Sequence, residues 1–208
     1  MWTSLFGRAL GCALLLSSAC VPAHATAETA EDKAAAANAA ELAKADLIAT
    51  FDRPTLENGE FVWKSGKAAG EVDRVVISLS DQLAFAYHGD ELIGASTISS
   101  GADEKPTPTG IFPILEKQRL HRSIKYDNAP MPFMQRLDDY GIALHAGRLP
   151  GYPASHGCVR LPAAFAAKLF AATRVGTVVL IGAPGVAQGE SQEAGVDRDS
   201  DGPTFASN

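Results

Sequence analysis

The sequence is poor in cysteine. It has three cysteines among 208 residues, and two of them, Cys12 and Cys20, lie in the first 25 residues. An apolar stretch in this segment ends at a small-x-small tripeptide that closes with Ala25, the pattern that signal peptidases cut. We therefore predict a signal peptide over residues 1–25, export, and a location in the periplasm or cell envelope. The mature chain would then keep one cysteine, Cys158, and no internal disulfide.

Long apolar runs are also missing. The apolar part of the leader is too short for a permanent membrane helix, and no later segment approaches the ~20 apolar residues that spanning requires. No stable membrane span is therefore predicted. Lipid attachment at Cys20 is disfavoured, because Ser17 stands where a leucine is expected three residues before such a cysteine.

The chain carries no excess of positive charge. Its 18 basic and 24 acidic residues give a formal net charge of −6, which argues against nucleic acid as a partner. Residues 184–208 hold five acidic residues and one basic residue, and we interpret them as a disordered tail. A calcium-loop pattern opens there at Asp197, but its twelfth position is Asn208 rather than Glu and no flanking helix is predicted. A solvated acidic tail is favoured.

Composition divides the rest of the chain into two parts. Residues 26–70 hold an alanine-rich segment, which predicts a helical spacer or cap, followed by a loop. Residues 71–183 are rich in β-branched and alternating apolar positions, so we predict a mainly β domain with one or two short helices. The predicted helices cover residues 28–51 and 162–172, and the predicted strands cover residues 60–64, 72–79, 83–87, 91–98, 111–115, 141–145 and 177–181.

One stretch of this domain, residues 118–139, has no clear period and is predicted to be a long irregular loop. Loops of this length in a compact domain are usually functional or mobile. Four large side chains lie in it and either line a substrate cleft or anchor the loop to the core: Tyr126, Met131, Phe133 and Met134. Whether the loop closes over a site as a lid stays open.

The chemistry-bearing residues are His145, His156 and Cys158. A thiol with a pKa of about 8.5 is mostly protonated at neutral pH, so a nucleophilic cysteine needs an imidazole beside it. If residues 155–158 are extended, His156 and Cys158 point to the same side, and Gly157 leaves a backbone amide uncovered near the thiol. Three interpretations remain open on spacing alone: thiol catalysis, a buried structural cysteine with satisfied histidines, and a zinc site.

A longer motif surrounds these residues. The run Ser155-His156-Gly157-Cys158-Val159-Arg160, preceded by His145 and by Pro106-Thr107-Pro108-Thr109-Gly110-Ile111-Phe112, resembles the L,D-transpeptidase catalytic domain. The resemblance covers residues 72–181. It implies a β-sandwich or barrel-like domain that uses no metal and no cofactor. It also implies attack by a cysteine on the bond between an L-centre diamino acid and D-alanine in a peptidoglycan stem peptide.

The resemblance also implies residue roles. Cys158 would be the nucleophile and His145 the general base, held in its useful tautomer by the backbone carbonyl of Ala146. The remaining implied roles are shaping of the oxyanion region (Ser155, His156, Gly157) and, for Arg160, steadying of the loop or binding of a stem-peptide carboxylate. Contact of Tyr126 and Phe133 with substrate is suggested by their residue types alone. For Arg160, an internal salt bridge is the equal alternative.

The acceptor of the acyl group is not readable from the sequence. An amine of another stem peptide would give a crosslink, a protein lysine would give anchoring to the wall, and water would give a carboxypeptidase. We expect transpeptidation, with hydrolysis or wall cleavage at the same site as the alternative. A binding protein without turnover is a further alternative, disfavoured because binding alone does not need a thiol.

Overall fold

The computed structural model describes residues 28–64 and 71–183. The predicted signal peptide and acidic tail lie outside these residues. The elements in chain order are α1 (Ala30–Phe51), β1 (Phe61–Trp63), β2 (Arg74–Ser78), β3 (Leu83–His88), β4 (Glu91–Thr97), β5 (Gly110–Pro113), β6 (Glu116–Ser123), β7 (Ala129–Arg136), β8 (Ala143–Ala146), β9 (Val159–Leu161), α2 (Ala163–Ala172) and β10 (Val178–Gly182). The prediction of a mainly β fold with two helices is confirmed, as two open sheets rather than a closed barrel.

The larger sheet has six strands in the order β1-β4-β3-β2-β10-β5. Both of its faces are covered, which explains the nearly continuous apolar sequence of β2. Val75 and Ile77 join the core between this sheet and α2, whereas Val76 and the neighbouring Phe85 pack toward α1. Alternate side chains of the same strand therefore support two separate apolar layers.

Helix α1 lies directly against this sheet. Ala36, Ala40, Ala43 and Leu47 recur at helical spacing and are at most 1% exposed. A side chain on Gly182 of β10 would place its Cβ 2.3 Å from the Ala36 carbonyl oxygen, so the glycine permits the close approach. The segment predicted as a spacer is thus a layer of the fold, because its small alanines form a flat packing face. No helix within residues 28–64 and 71–183 is both long and apolar enough to cross a bilayer.

The smaller sheet has the order β6-β7-β8-β9. The prediction of an irregular loop over residues 118–139 was wrong, because β6 and β7 pair there as an antiparallel hairpin. Its strands lack a clear alternation, since Leu120 is 85% exposed and Phe133 has a positive φ of 57°. The turn residues Asp127 and Asn128, also at positive φ, are the local signal that favours a hairpin.

Candidate active site

Parallel pairing of β8 with β9 sets the geometry of the site. His145 pairs with Arg160, one residue after Leu144 pairs with Val159. Leu144 and Val159 are fully buried in the core. Because side chains alternate across a strand, His145 and Arg160 project from the opposite face, and Cys158 precedes Arg160 by two residues. His145, Cys158 and Arg160 line one cleft.

His145 is buried and has a defined tautomer. Its Nδ1 lies 2.8 Å from the backbone carbonyl oxygen of Ala146. A carbonyl only accepts, so Nδ1 carries the proton and Nε2 keeps its lone pair. Burial lowers the pKa of His145 below its ordinary value of 6.5, against the opposing effect of this hydrogen bond. The imidazole is therefore a neutral base near neutral pH.

Cys158 is partly buried at the start of β9. Its thiol donates to the carbonyl oxygen of Gly141 over 3.4 Å. Burial raises the pKa of the Cys158 thiol above its ordinary value of 9.0, and a backbone hydrogen bond from Ala143 opposes that shift. The thiol is therefore mostly protonated at neutral pH and needs a base to become a nucleophile.

The residues before Cys158 form a tight turn. Ser155 Oγ donates to the Cys158 carbonyl oxygen and accepts the Gly157 N–H over 3.1 Å. The Gly157 N–H was expected to donate to a developing oxyanion, but in the structure it already donates to Ser155 Oγ. Outside the strand ladders, the N–H groups of His156 and Cys158 have no acceptor among the described residues. They are the donors that the turn leaves open.

Gly157 is required by this turn for two reasons. Its φ is +109°, and a Cβ would lie 2.7 Å from Ile142 Cδ1. Thr107 supports the same turn, since its hydroxyl donates to the Gly157 carbonyl over 2.8 Å and accepts the Gly101 N–H. Residue-level reasoning missed Thr107, although it belongs to the Pro-Thr-Pro-Thr-Gly run that carried the resemblance.

The cleft above Cys158 has a volume of about 580 Å³. Tyr126, at the tip of the β6–β7 hairpin, stacks on His156 with ring centroids 4.6 Å apart. A second cleft of about 480 Å³ shares these two rings and extends past Met134 and Tyr140. The stack therefore stands between two cavities. The side chain of His156 is exposed, and its ring is held against the Tyr126 ring by this stacking contact.

Phe133 lies elsewhere. It lines neither cleft, and its ring packs on Phe170 of α2 with centroids 5.8 Å apart. Its expected contact with substrate is therefore not supported by its position, whereas Tyr126 and Met131 do line the Cys158 cleft. The positive φ of Phe133 turns its side chain out of the regular alternation of β7.

No three His, Cys, Asp or Glu side chains cluster as a metal site requires within the described ranges. The zinc interpretation thus has no three-ligand set in this part of the chain. A neutral thiol and a neutral imidazole instead line the same cleft.

The family comparison agrees with this geometry. The model of the L,D-transpeptidase catalytic domain, YkuD, matches residues 72–181, more than half of the chain. The chain belongs to this family. The match begins just before β2 and ends within β10, so it contains His145, Cys158 and both clefts, and it excludes α1 and β1.

Solved structures of L,D-transpeptidases also match part of the chain. One from Mycobacterium smegmatis is 20% identical, with 53% of this chain and 58% of that chain covered and a TM-score of 0.49. One from Xylanimonas cellulosilytica is 28% identical, with 54% and 61% covered and a TM-score of 0.48. The chain thus spans less than two thirds of the length of these structures. No curated protein matches the chain.

Arg160 of this L,D-transpeptidase domain has no salt bridge within the part of the chain that the structure describes. Its guanidinium forms no ion pair or hydrogen bond with any residue of the described ranges, although an internal salt bridge was one of its two expected roles. Its aliphatic stem lies across Gly147, where a Cβ would be 3.0 Å from Arg160 Cγ. The charged end is therefore free for a ligand in the cleft.

Asp138 holds the loop that contacts the thiol. Its buried carboxylate accepts the N–H groups of Tyr140, Gly141 and Ile142 over 2.8 to 3.0 Å. The Gly141 carbonyl that receives the Cys158 thiol is part of this turn. Sequence reasoning missed Asp138, because the contact depends on the conformation of the turn.

Replacement of Asp138 by alanine should therefore disturb the site. We expect Asp138→Ala to lower the free energy of unfolding by about 2 kcal/mol, because three N–H groups lose a charged acceptor. The rate of Cys158 alkylation by iodoacetamide should change with it, and both are measured on the purified chain. Asp139→Ala is the matched control, since that side chain is 89% exposed. Equal effects of the two substitutions would contradict the role of Asp138.

Proposed function

We propose that the chain is an exported peptidoglycan L,D-transpeptidase with Cys158 as its nucleophile. The observation that carries the proposal is the pairing in one cleft of a protonated thiol with a neutral, tautomer-fixed imidazole. Its substrate would be the tetrapeptide stem of peptidoglycan, cleaved between the L-centre of the diamino acid and the terminal D-alanine. Location in the periplasm or cell envelope follows from the leader predicted over residues 1–25.

Acylation would begin with proton transfer from the Cys158 thiol to His145 Nε2. The sulfur forms a bond to the scissile carbonyl carbon, and the oxyanion accepts hydrogen bonds from the open N–H groups of His156 and Cys158. Collapse breaks the C–N bond, and the imidazolium returns its proton to the departing amine of D-alanine. A thioester on Cys158 remains, and His145 is again neutral.

Deacylation would repeat these steps with an acceptor. The acceptor amine attacks the thioester carbonyl, His145 takes a proton from that amine, and the sulfur leaves as the thiol after the proton is returned to it. The second cleft, beyond the Tyr126–His156 stack, gives an acceptor peptide room close to the thioester. This room favours transfer to an amine over transfer to water.

The products identify the acceptor. We would incubate the purified chain with disaccharide-tetrapeptide and record the products by mass spectrometry, with parallel samples treated with iodoacetamide or EDTA. Crosslinked dimer that disappears with iodoacetamide and persists with EDTA is the expected result. Tripeptide alone would indicate a carboxypeptidase, and dimer formation lost only with EDTA would contradict thiol catalysis.

Unchanged substrate in every sample would contradict the proposed donor, and adding a lysine-bearing acceptor protein would then test wall anchoring.

A further inference from the structure

The segment that follows β4, residues 98–102, holds the backbone of the turn that leads to Cys158. The Ser100 carbonyl oxygen accepts the Ser155 N–H over 2.9 Å, and the Ala102 N–H donates to the Ser155 carbonyl oxygen over 3.0 Å. Ser155 is also the residue whose hydroxyl donates to the Cys158 carbonyl oxygen. The turn is therefore tied to the position of Ser100.

Gln82 is the side chain that fixes Ser100. It closes the turn between β2 and β3 and is partly buried, and Ser100 is 3% exposed. The amide oxygen of Gln82 accepts the Ser100 N–H over 3.0 Å. The amide nitrogen donates to the Ser100 hydroxyl over 2.8 Å and to the Leu79 carbonyl oxygen over 2.7 Å. Both N–H bonds and the oxygen of the amide are therefore used, and two of the three contacts go to one residue.

The backbone of Gln82 adopts a conformation that its residue type does not favour. Its φ is +53°, in the region where asparagine and glycine are the common residues of a turn. Its carbonyl oxygen also accepts the Ile98 N–H over 2.9 Å, so backbone and side chain hold the same segment. The turn alone would be served by a smaller residue, whereas the contacts with Ser100 need the length of glutamine.

We infer that Gln82 is a positioning residue of the site, which through Ser100 fixes the turn that presents the N–H groups of His156 and Cys158. The inference rests on the proposed function, because that function assigns these two N–H groups to the oxyanion. Gln82 lines neither cleft, so it acts without touching substrate. Loss of its side chain should therefore slow the reaction step and leave substrate binding nearly unchanged.

Three substitutions separate the side-chain contacts of Gln82 from its backbone conformation. Gln82→Met has a similar length and forms none of the amide hydrogen bonds. Gln82→Asn keeps the amide and suits the positive φ, but it is one methylene shorter. Gln82→Glu keeps an acceptor for the Ser100 N–H and loses the donor to Leu79. Tyr87→Phe is the matched control, because it removes a 2.8 Å hydrogen bond to Asp46 in the apolar layer under α1.

Each variant would be measured by steady-state kinetics with a tetrapeptide donor, by thermal unfolding and by the rate of Cys158 alkylation with iodoacetamide. We expect Gln82→Met and Gln82→Asn to lower kcat about tenfold with little change in KM, less than the ~10²-fold that a displacement of ~1 Å causes. Gln82→Glu should recover part of the loss. The Met and Asn variants should also be alkylated about threefold faster, since a loosened turn exposes the thiol.

Parental kcat and alkylation rate in Gln82→Asn would overturn the inference, because the residue would then serve only its own turn. An equal loss of kcat in Tyr87→Phe would overturn it as well, because general destabilisation would explain both variants. If the parent turns over no donor, the proposed function fails and alkylation decides alone: faster alkylation in Gln82→Met and Gln82→Asn but not in Tyr87→Phe supports the positioning role, and unchanged rates refute it.

Discussion

Cys158→Ala is expected to abolish thioester formation and to lower the acyl-transfer rate by about 10⁴-fold or more. The alanine removes the sulfur that would bond to the scissile carbonyl, and neither histidine of the cleft replaces it as a nucleophile. The side chain is partly buried, and among the described residues its thiol donates only the 3.4 Å hydrogen bond to the Gly141 carbonyl oxygen. The fold should therefore survive the substitution.

Intact-protein mass spectrometry after mixing with a tetrapeptide donor measures the acyl-enzyme directly. Cys158→Ser is the companion variant, because it replaces the thiol with a hydroxyl. A hydroxyl is a far weaker acid than a thiol, so we expect this variant to form acyl-enzyme very slowly. Thermal unfolding should differ by no more than about 4 °C from the parent, the shift that ~1 kcal/mol produces. A Cys158→Ala chain that still releases D-alanine at the parent rate would refute the assignment.

Local sequence patterns were sufficient to predict the strands and helices whose side chains are buried. The strands that became β2, β3 and β4 were predicted because their apolar residues alternate or run continuously toward packed layers. The segment that became α2 follows Pro162, and its alanines predict a helix. The relation between His145 and Cys158 came from the longer motif, whereas spacing alone left three interpretations open.

The features that sequence reasoning missed depend on tertiary contacts. Few side chains of the β6–β7 hairpin are fully buried, so no continuous buried face imposes a period on its sequence. The engagement of the Gly157 N–H by Ser155 Oγ depends on a tight turn that the residue types do not specify. Asp138 and Thr107 act through backbone groups of distant loops, which no local pattern indicates.

Burial also determines the charge state of the site. It lowers the pKa of His145 and raises that of Cys158, so both shifts favour the neutral pair over a thiolate and imidazolium. The nearby positive charge of Arg160 lowers both pKa values, because it stabilises the Cys158 thiolate and destabilises the His145 imidazolium. In the proposed mechanism, the Cys158 thiol would therefore stay protonated until His145 takes its proton during the attack. A protonated thiol would suit the predicted export, since the thiolate is the form that oxidants attack.

His145→Gln is expected to lower kcat by about 10³-fold, within the range for loss of a general base. Glutamine is neutral and can donate a hydrogen bond to the Ala146 carbonyl, so it preserves the contact while removing the base. In the parent, kcat/KM should fall only below pH 6.5, because the pKa of His145 lies below that value. The variant should lack this acid limb. His88→Gln is the matched control, since that histidine is exposed at the end of β3.

The same substitution should change how stability depends on pH. The pKa of His145 is lower in the folded state than in the unfolded chain, so its contribution is complete above pH 6.5 and is lost as pH falls toward the folded pKa. The pKa of Cys158 is raised by folding, so its contribution is complete below pH 9.0 and is lost as pH rises through the folded pKa. Denaturant unfolding across this range should show His145→Gln weakening the acid limb alone and Cys158→Ala weakening the alkaline limb alone. An acid limb of both activity and stability that persists in His145→Gln would show that another group titrates there, and His145 would lose its role as the base.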